Sequence, residues 1–194
     1  SATGSAGTIA AGDYLRKLNP NIKVIASEAL QCPTLLMNGF GGHRIEGIGD
    51  KHIPWIHNVK NTDAVCAIND EHPLRLLRLF NEPEGHKYLL NLGVDKNLIE
   101  KLPQLGISCI SNLLSGIKMA KYYEFNENDI IFTIFTDSAE LYQSRLMEMN
   151  EQWGKYNETQ AAIDWNSAMK EQSIDYFKEL SYYDKKTIHN LKYF

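Results

Sequence analysis

The 194-residue sequence has few cysteines, no excess of positive charge and no long apolar run. Its three cysteines, Cys32, Cys66 and Cys109, are scattered and lack C-x-x-C spacing. We therefore expect neither a disulfide framework nor a zinc site, and we expect a reducing cytoplasmic location. The formal net charge of −4 argues against general nucleic-acid affinity. No apolar run approaches the roughly 18 residues that a membrane helix needs, so no membrane partner is expected.

The histidines add no metal site to this picture, because none of the six stands at a metal-ligand spacing. The composition, with 43% hydrophobic and 23% charged residues, is ordinary for a folded globular domain.

The first local motif is a phosphate-binding loop at the start of the chain. Residues 4–8 read Gly-Ser-Ala-Gly-Thr and lead into a helical pattern. Small residues let backbone N–H groups close on an anion, and the helix dipole favours negative charge at the same place. Such a loop normally lies between a strand and a helix, but no strand precedes it here. We therefore expect this chain to be the C-terminal piece of a longer protein.

Strand and helix signals alternate along the chain, which favours an α/β fold. Helical patterns cover residues 8–18, 71–80, 87–101 and 110–123, and strand-like runs cover residues 22–27, 63–68 and 129–135. The run at 129–135 is nearly unbroken apolar sequence, as in a parallel strand that is buried on both faces. We predict a three-layer α/β domain over residues 1–145, with a mostly parallel sheet flanked by helices. Residues 146–194 lack strand signals and are predicted to form a helical C-terminal extension.

Four short motifs occur in a fixed order: the loop at 4–8, Glu-Gly-Ile-Gly at 46–49, Gly-Ile-Ser at 106–108, and Asp-Ser at 137–138. Over residues 4–141 this succession resembles the cysteine synthase and cystathionine β-synthase family of fold-type II pyridoxal phosphate enzymes. The family counterparts read Gly-Thr-Gly-Gly-Thr, Gln-Gly-Ile-Gly, Gly-Ile-Ser-Ser and Pro-Asp-Ser. Residues 81–105 are longer than the matching family segment, and the tail after residue 146 does not match.

The resemblance implies pyridoxal 5′-phosphate as the cofactor and β-elimination or β-replacement on an amino acid as the reaction. It implies that Ser138 faces the pyridine nitrogen, and that Gly47 permits a tight backbone path beside the cofactor. The cofactor phosphate would be held by the loop, Gly4, Ser5, Ala6, Gly7 and Thr8. The Schiff-base lysine would lie upstream, so this chain alone would be inactive. A homodimer, or association with the missing N-terminal half, is the implied assembly.

Two other readings remain open from the residues. In the first, Gly4 and Gly7 head a helix and Glu28 follows about twenty residues later, as the ribose-binding acid of a nicotinamide-binding domain would. The G-x-G-x-x-G spacing is not met, however. In the second, the chain is a non-catalytic module or subunit that binds a partner. Cys109, at a predicted helix start, is either a reactive thiol or a small packed residue.

Overall fold

A short three-stranded sheet lies at the centre of the computed structural model, which describes residues 7–49 and 51–193. Strand β1 (Ile25–Ala29) pairs in parallel with β2 (Ala64–Ile68), and β3 (Phe177–Glu179) pairs with β2 in the antiparallel direction. Every residue of β1 and β2 is buried, as expected for strands covered on both faces. The α/β class is thus confirmed, while this sheet contains one parallel and one antiparallel pair.

Helices follow the predicted pattern through most of the chain. Helix α1 is Gly7–Leu18, and the long amphipathic pattern near residue 110 forms α6 (Ile107–Tyr122). The remaining helical segments are α2 (Thr34–Met37), α3 (Glu71–Asn81), α4 (Pro83–Asn91), α5 (Lys96–Ile99), α7 (Gln143–Trp153), α8 (Glu158–Asp164), a π-helical turn (Trp165–Lys170), α9 (Tyr182–Asn190), and 3-10 turns at Val59–Asn61, Leu102–Gln104, Ala139–Tyr142 and Leu191–Tyr193.

The sheet separates two hydrophobic clusters. The larger one includes Ile68 of β2, Leu77 of α3 and Leu114 of α6. The smaller one joins Ile9 of α1 and Val65 of β2 to residues near the C-terminus, including Ile188 of α9. Alternating residues of the strands serve the two clusters, since successive side chains point to opposite faces.

The tail is built into the body of the fold. Two lysines of α6 donate to its backbone: Lys118 Nζ to Asp175 O at 2.8 Å and Lys121 Nζ to Gln172 O at 2.6 Å. Strand β3 was not predicted, because its three residues carry no detectable periodic signal. The tail after residue 146 is therefore not only helical.

The predicted strand at 129–135 does not form, although this nearly unbroken apolar run is the strongest strand signal in the sequence. The segment has no regular secondary structure and no strand pairing, and much of its apolar surface is exposed, with Ile130 at 90% and Phe132 at 77%. A strand needs a lateral neighbour to satisfy its backbone groups, and no strand of the described residues flanks this segment.

Among the described residues, no helix is long and apolar enough to cross a membrane.

Candidate functional site

Two of the four motifs meet at the beginning of α6, where Asp137 accepts several hydrogen bonds. Its backbone oxygen accepts from Gly106 N at 3.0 Å. Its carboxylate accepts from Ser108 N at 3.2 Å and from Ser108 Oγ at 2.9 Å. The carboxylate thus satisfies free N–H groups at the start of a helix, where the dipole also favours a negative charge.

Two further donors, Cys109 and Tyr142, complete the surroundings of Asp137. Cys109 donates through both its backbone N–H and its thiol, and Tyr142 Oη donates at 2.6 Å. Burial alone would raise the pKa of Asp137, but the hydrogen bonds from Cys109, Tyr142 and Ser108 outweigh burial and lower it. The carboxylate is therefore held in its charged form.

The same surroundings decide between the two readings of Cys109. Its side chain is buried, and burial together with the hydrogen bond to Asp137 raises the pKa of the thiol. A reactive cysteine needs a lowered pKa. Cys109 is thus a packed residue that donates to a carboxylate.

A third motif reaches this point through Gly47. The residue has a φ of +83°, and a Cβ placed on it would lie 3.4 Å from Ser108 Cβ. The loop at 46–49 therefore passes directly over the first turn of α6. At Gly106 a Cβ would lie 2.4 Å from Asp137 Cγ, so the turn before α6 has no room for a side chain.

Ser138 follows Asp137 and is half-buried. It precedes the 3-10 turn at Ala139–Tyr142, yet its side chain does not cap that turn. Its hydroxyl makes no hydrogen bond within the part of the chain that the structure describes. The expectation that Ser138 ends a sheet strand is wrong, because the preceding segment is not paired. Ser138 borders a cavity of about 340 Å³ together with Gln104 and Gln143.

The phosphate loop is described only at its end. Gly4, Ser5 and Ala6 lie outside the described residues, whereas Gly7 and Thr8 form the first positions of α1. Thr8 borders a groove between α1, α6 and residues 129–134, which is distinct from the cavity at Ser138. The cofactor roles of residues 4–8, Gly47 and Ser138 therefore remain predictions.

Sequence reasoning assigned no site role to Asp137 or Tyr142. Asp137 caps the beginning of α6, since its carboxylate accepts from the backbone N–H groups of Ser108 and Cys109. The distance of 28 residues or more between Asp137 and its partners on α6 leaves no local signal in the sequence.

Glu28, the acid of the nicotinamide reading, is fully engaged by the protein. Its carboxylate accepts from Leu35 N at 2.9 Å and from Leu36 N at 2.8 Å. Burial raises its pKa to about 7, against the lowering effect of these backbone donors. A carboxylate that is only 2% exposed and holds a loop has no oxygen free for a ribose hydroxyl. The structure therefore disfavours dinucleotide binding at this position.

No family model matches the chain. Cysteine synthase B of Campylobacter jejuni is 27% identical over 142 residues, or 73% of this chain and 40% of that protein. The O-acetylserine dependent cystathionine beta-synthase of Bacillus subtilis is 29% identical over 145 residues, with the same coverage. The chain thus spans about 40% of the length of these curated relatives.

Solved structures agree on the fold. A hydrogen sulfide-producing enzyme of Fusobacterium nucleatum aligns with a TM-score of 0.58 and 21% identity over 92% of this chain and 44% of its own. O-acetylserine sulfhydrylase isoform 3 of Entamoeba histolytica aligns with a TM-score of 0.59 and 24% identity over 83% and 43%. The resemblance predicted from the motifs is confirmed: the chain is similar to a part of the cysteine synthase and cystathionine β-synthase enzymes.

Proposed function

We propose that this chain is the C-terminal part of a pyridoxal phosphate-dependent enzyme that acts at the β carbon of an amino acid, as a cysteine synthase-like lyase or transferase. The observation that carries the proposal is the convergence of residues 46–49, 106–108 and 137–138 at the start of α6. These motifs lie up to about ninety residues apart in the sequence. A Cβ placed on Gly47 would lie 3.4 Å from Ser108 Cβ, and Ser108 Oγ donates to the Asp137 carboxylate at 2.9 Å.

The residues present fit the cofactor in two respects. Ser138 is half-buried, and its hydroxyl makes no hydrogen bond with any of the described residues. Gly7 and Thr8 begin a helix of 12 residues, whose N–H groups and dipole suit a phosphate group. When bound, the cofactor would supply the electron sink for elimination or replacement.

The roles of the chain's own residues follow from this fit. Residues 4–8 would bind the phosphate group, and Ser138 would hydrogen-bond the pyridine nitrogen through a neutral hydroxyl group. Asp137 fixes the turn that presents Ser138, because its carboxylate is tied to α6. Gly47 would leave room for the loop to approach the cofactor closely.

Several further properties of the whole protein belong to the same proposal. The lysine that holds the cofactor covalently would come from the N-terminal half, so the 194-residue chain alone would show no turnover. In the whole enzyme the sheet would be mostly parallel and lie between two helical layers. We propose a cytoplasmic amino-acid enzyme that is a homodimer or associates with its N-terminal half, and we retain residues 146–194 as its C-terminal extension.

Cofactor binding by the chain tests this proposal. The purified chain is titrated with pyridoxal phosphate, and the cofactor's absorbance and fluorescence are followed for the wild type, S138A and S144A. Ser144 is an exposed serine of α7 and serves as the matched control. We expect weak binding by wild type and S144A and altered cofactor spectra in S138A. Identical spectra in all three proteins would refute the role of Ser138.

Covalent attachment is tested in the same samples. Borohydride reduction followed by mass spectrometry should give no stoichiometric pyridoxyl adduct, because covalent catalysis needs a positioned lysine amine. Stoichiometric labelling of one lysine together with β-elimination activity would show that these 194 residues hold a complete site.

A further inference from the structure

The parallel strands β1 and β2 are each followed or ended by a buried carboxylate that holds the same long segment, residues 34–49. Glu28, near the end of β1, accepts from two backbone N–H groups at the start of this segment. Asp70, two residues after β2, accepts from Arg44 N at 2.9 Å near its end. Because parallel strands finish at the same edge of a sheet, the two carboxylates fix the segment at both of its ends.

Asp70 uses both carboxylate oxygens for this contact. Its Oδ2 accepts from Arg44 N, and its Oδ1 accepts from Arg44 Nη2, each at 2.9 Å. Asp70 is only 4% exposed, and hydrogen bonds between a buried carboxylate and a cation are among the stronger ones in proteins. Although Asp70 stands at the N-cap position of α3, its side chain makes no capping hydrogen bond within that helix. The carboxylate therefore serves the segment and not the helix.

The backbone of Asp70 is itself fixed by a polar contact with the residues after β1. Asp70 N donates to Gln31 Oε1 at 3.0 Å, and Gln31 Nε2 donates to Asn69 Oδ1 at 3.0 Å. Asn69 Oδ1 also accepts from Glu71 N at the start of α3. Asp70 is thus held by both strand ends, as a residue that has to place another group accurately must be.

The loop at 46–49 begins two residues after the clamped Arg44. Ile45, between them, is fully buried in the larger hydrophobic cluster. Gly47 then passes over Ser108 of α6, where a Cβ placed on it would lie 3.4 Å from Ser108 Cβ. The place of Gly47 over α6 therefore depends on where Asp70 holds the backbone of Arg44.

A second ion pair contacts the same loop from α7. Arg145 Nη2 lies 2.7 Å from Glu46 Oε1, but the two side chains are 40% and 46% exposed. Exposed ion pairs contribute little to stability, because water and salt screen the attraction. The buried contact of Asp70 is therefore the stronger of the two attachments.

We propose that Asp70 is a positioning residue of the cofactor site, which sets the place of the loop at 46–49 and so the path of Gly47 beside the cofactor. The identity of the bound group rests on the proposed function, whereas the clamp between Asp70 and Arg44 is independent of it. Asp70 acts through the backbone of Arg44 and needs no contact of its own with the bound group.

Four variants of the full chain test the proposal. Asp70→Ala removes both contacts of the clamp, and Glu71→Gln is its matched control, because the neighbouring Glu71 pairs with Arg75 of α3 and not with the loop. Arg44→Met removes only the guanidinium contact, from a side chain that is 44% exposed. Arg44→Lys keeps the cation and tests for rescue.

Hydrogen exchange without cofactor is measured first, by mass spectrometry. The amides of Glu46 and Ile48 report on the loop, since they donate to Arg44 O and Ile45 O. Residues 64–68 of β2 serve as the internal reference. We expect loop exchange in D70A to be at least about tenfold faster than in the wild type, relative to β2, because a buried, charged acceptor is lost. R44M should show a smaller increase, R44K should restore slow exchange, and E71Q should match the wild type.

Two results of this measurement would overturn the proposal. One is an increase in D70A that the loop and β2 share equally, since that would show only a general loss of stability. The other is equal loop exchange in D70A and E71Q. If D70A does not fold, the comparison of R44M with R44K decides in the same way, and equal loop exchange in these two variants would overturn the proposal.

Titration with pyridoxal phosphate then connects the clamp to the cofactor. We expect E71Q to bind it like the wild type and D70A to bind it at least about fivefold more weakly, because apparent affinity falls with the fraction of molecules whose loop is in place. Equal affinity in wild type and D70A, despite faster loop exchange in D70A, would overturn the positioning role and leave the cofactor assignment intact. Absence of binding to the wild type would refute the proposed function, and the exchange data would then show that Asp70 is a structural anchor only.

Discussion

At the scale of single residues, folding raises the pKa of the Glu28 carboxyl group and so favours its neutral, protonated form. Its pKa is about 7 in the folded chain, against an ordinary value of 4.5, chiefly because it is buried. Between these two pH values the folded state binds more protons than the unfolded state. The contribution of Glu28 to the free energy of unfolding therefore decreases as pH rises from about 4.5 to about 7.

We expect Glu28→Gln to remove this pH dependence. The difference in unfolding free energy between wild type and E28Q should fall by up to about 3 kcal/mol over that range. Urea denaturation at a series of pH values measures it. E127Q, at an exposed position, is the control. The same pH-dependent difference in E127Q would contradict the assignment to Glu28.

Asp137 behaves in the opposite sense, because its pKa is lowered by its donors on α6 and by Tyr142. Its contribution to stability is present above the unfolded pKa and is lost as pH falls below that value. Asp137→Asn would set an amide N–H against backbone donors, and we expect a loss of roughly 2–4 kcal/mol at neutral pH. Thermal unfolding of D137N beside D129N, at an exposed turn, measures this. Equal stability of the two variants would disprove the capping role.

At the scale of elements, β3 is held by aromatic contacts. Phe177 stacks on Tyr122 with ring centroids 4.4 Å apart and meets Tyr123 edge-on at 5.8 Å. We expect Phe177→Ala to cost roughly 2–3 kcal/mol and to speed hydrogen exchange in β2. The exposed Phe132 gives a matched control, and F132A should stay within about 0.5 kcal/mol of the wild type. Similar losses in both variants would show that β3 is not anchored in this way.

Elements were predictable where their signal is local. The helical patterns of α1, α3 and α6 were read correctly, and β1 and β2 were found within a few residues of their bounds, because periodicity and caps belong to the segment itself. Whether residues 129–135 form a strand depends on a neighbour, which no local pattern contains. The three residues of β3 are too few to show any pattern.

The candidate site was predictable to a similar degree. The motif at 106–108 and the one at 137–138 were identified from the sequence, and the structure brings them together. Tyr142, which donates to the Asp137 carboxylate, was not foreseen, since a tyrosine in a short turn carries no distinguishing signal. Glu28 was noticed for its position after a strand, but only the folded chain shows that its oxygens are occupied.

At the scale of the whole molecule, ion pairs and hydrogen bonds of two arginines join the tail after residue 146 to the α/β body. Arg75 of α3 pairs with the buried Asp164 at 3.0 Å. Arg78, also on α3, donates to Asn150 Oδ1 and to Gly154 O. Separating the two parts would break these hydrogen bonds and expose the surface that the parts bury against each other.

We therefore expect the chain to unfold in one cooperative transition. In W55F the remaining tryptophans, Trp153 and Trp165, both lie in the tail, so their fluorescence reports on the tail alone. Far-ultraviolet circular dichroism reports on the whole chain. The two urea curves should have the same midpoint. A tail transition at lower urea would show that residues 146–194 unfold independently.

The shortness of β3 has a consequence for behaviour at high concentration. Its three residues include Lys178 and Glu179, whose charged side chains are about half exposed at the outer edge of the sheet. Short, charged edge strands resist pairing with another chain. Fibres that grow by strand addition need two receptive edges per molecule, and this edge is closed. We therefore expect aggregation by that route to stop at pairs of molecules rather than to continue into filaments.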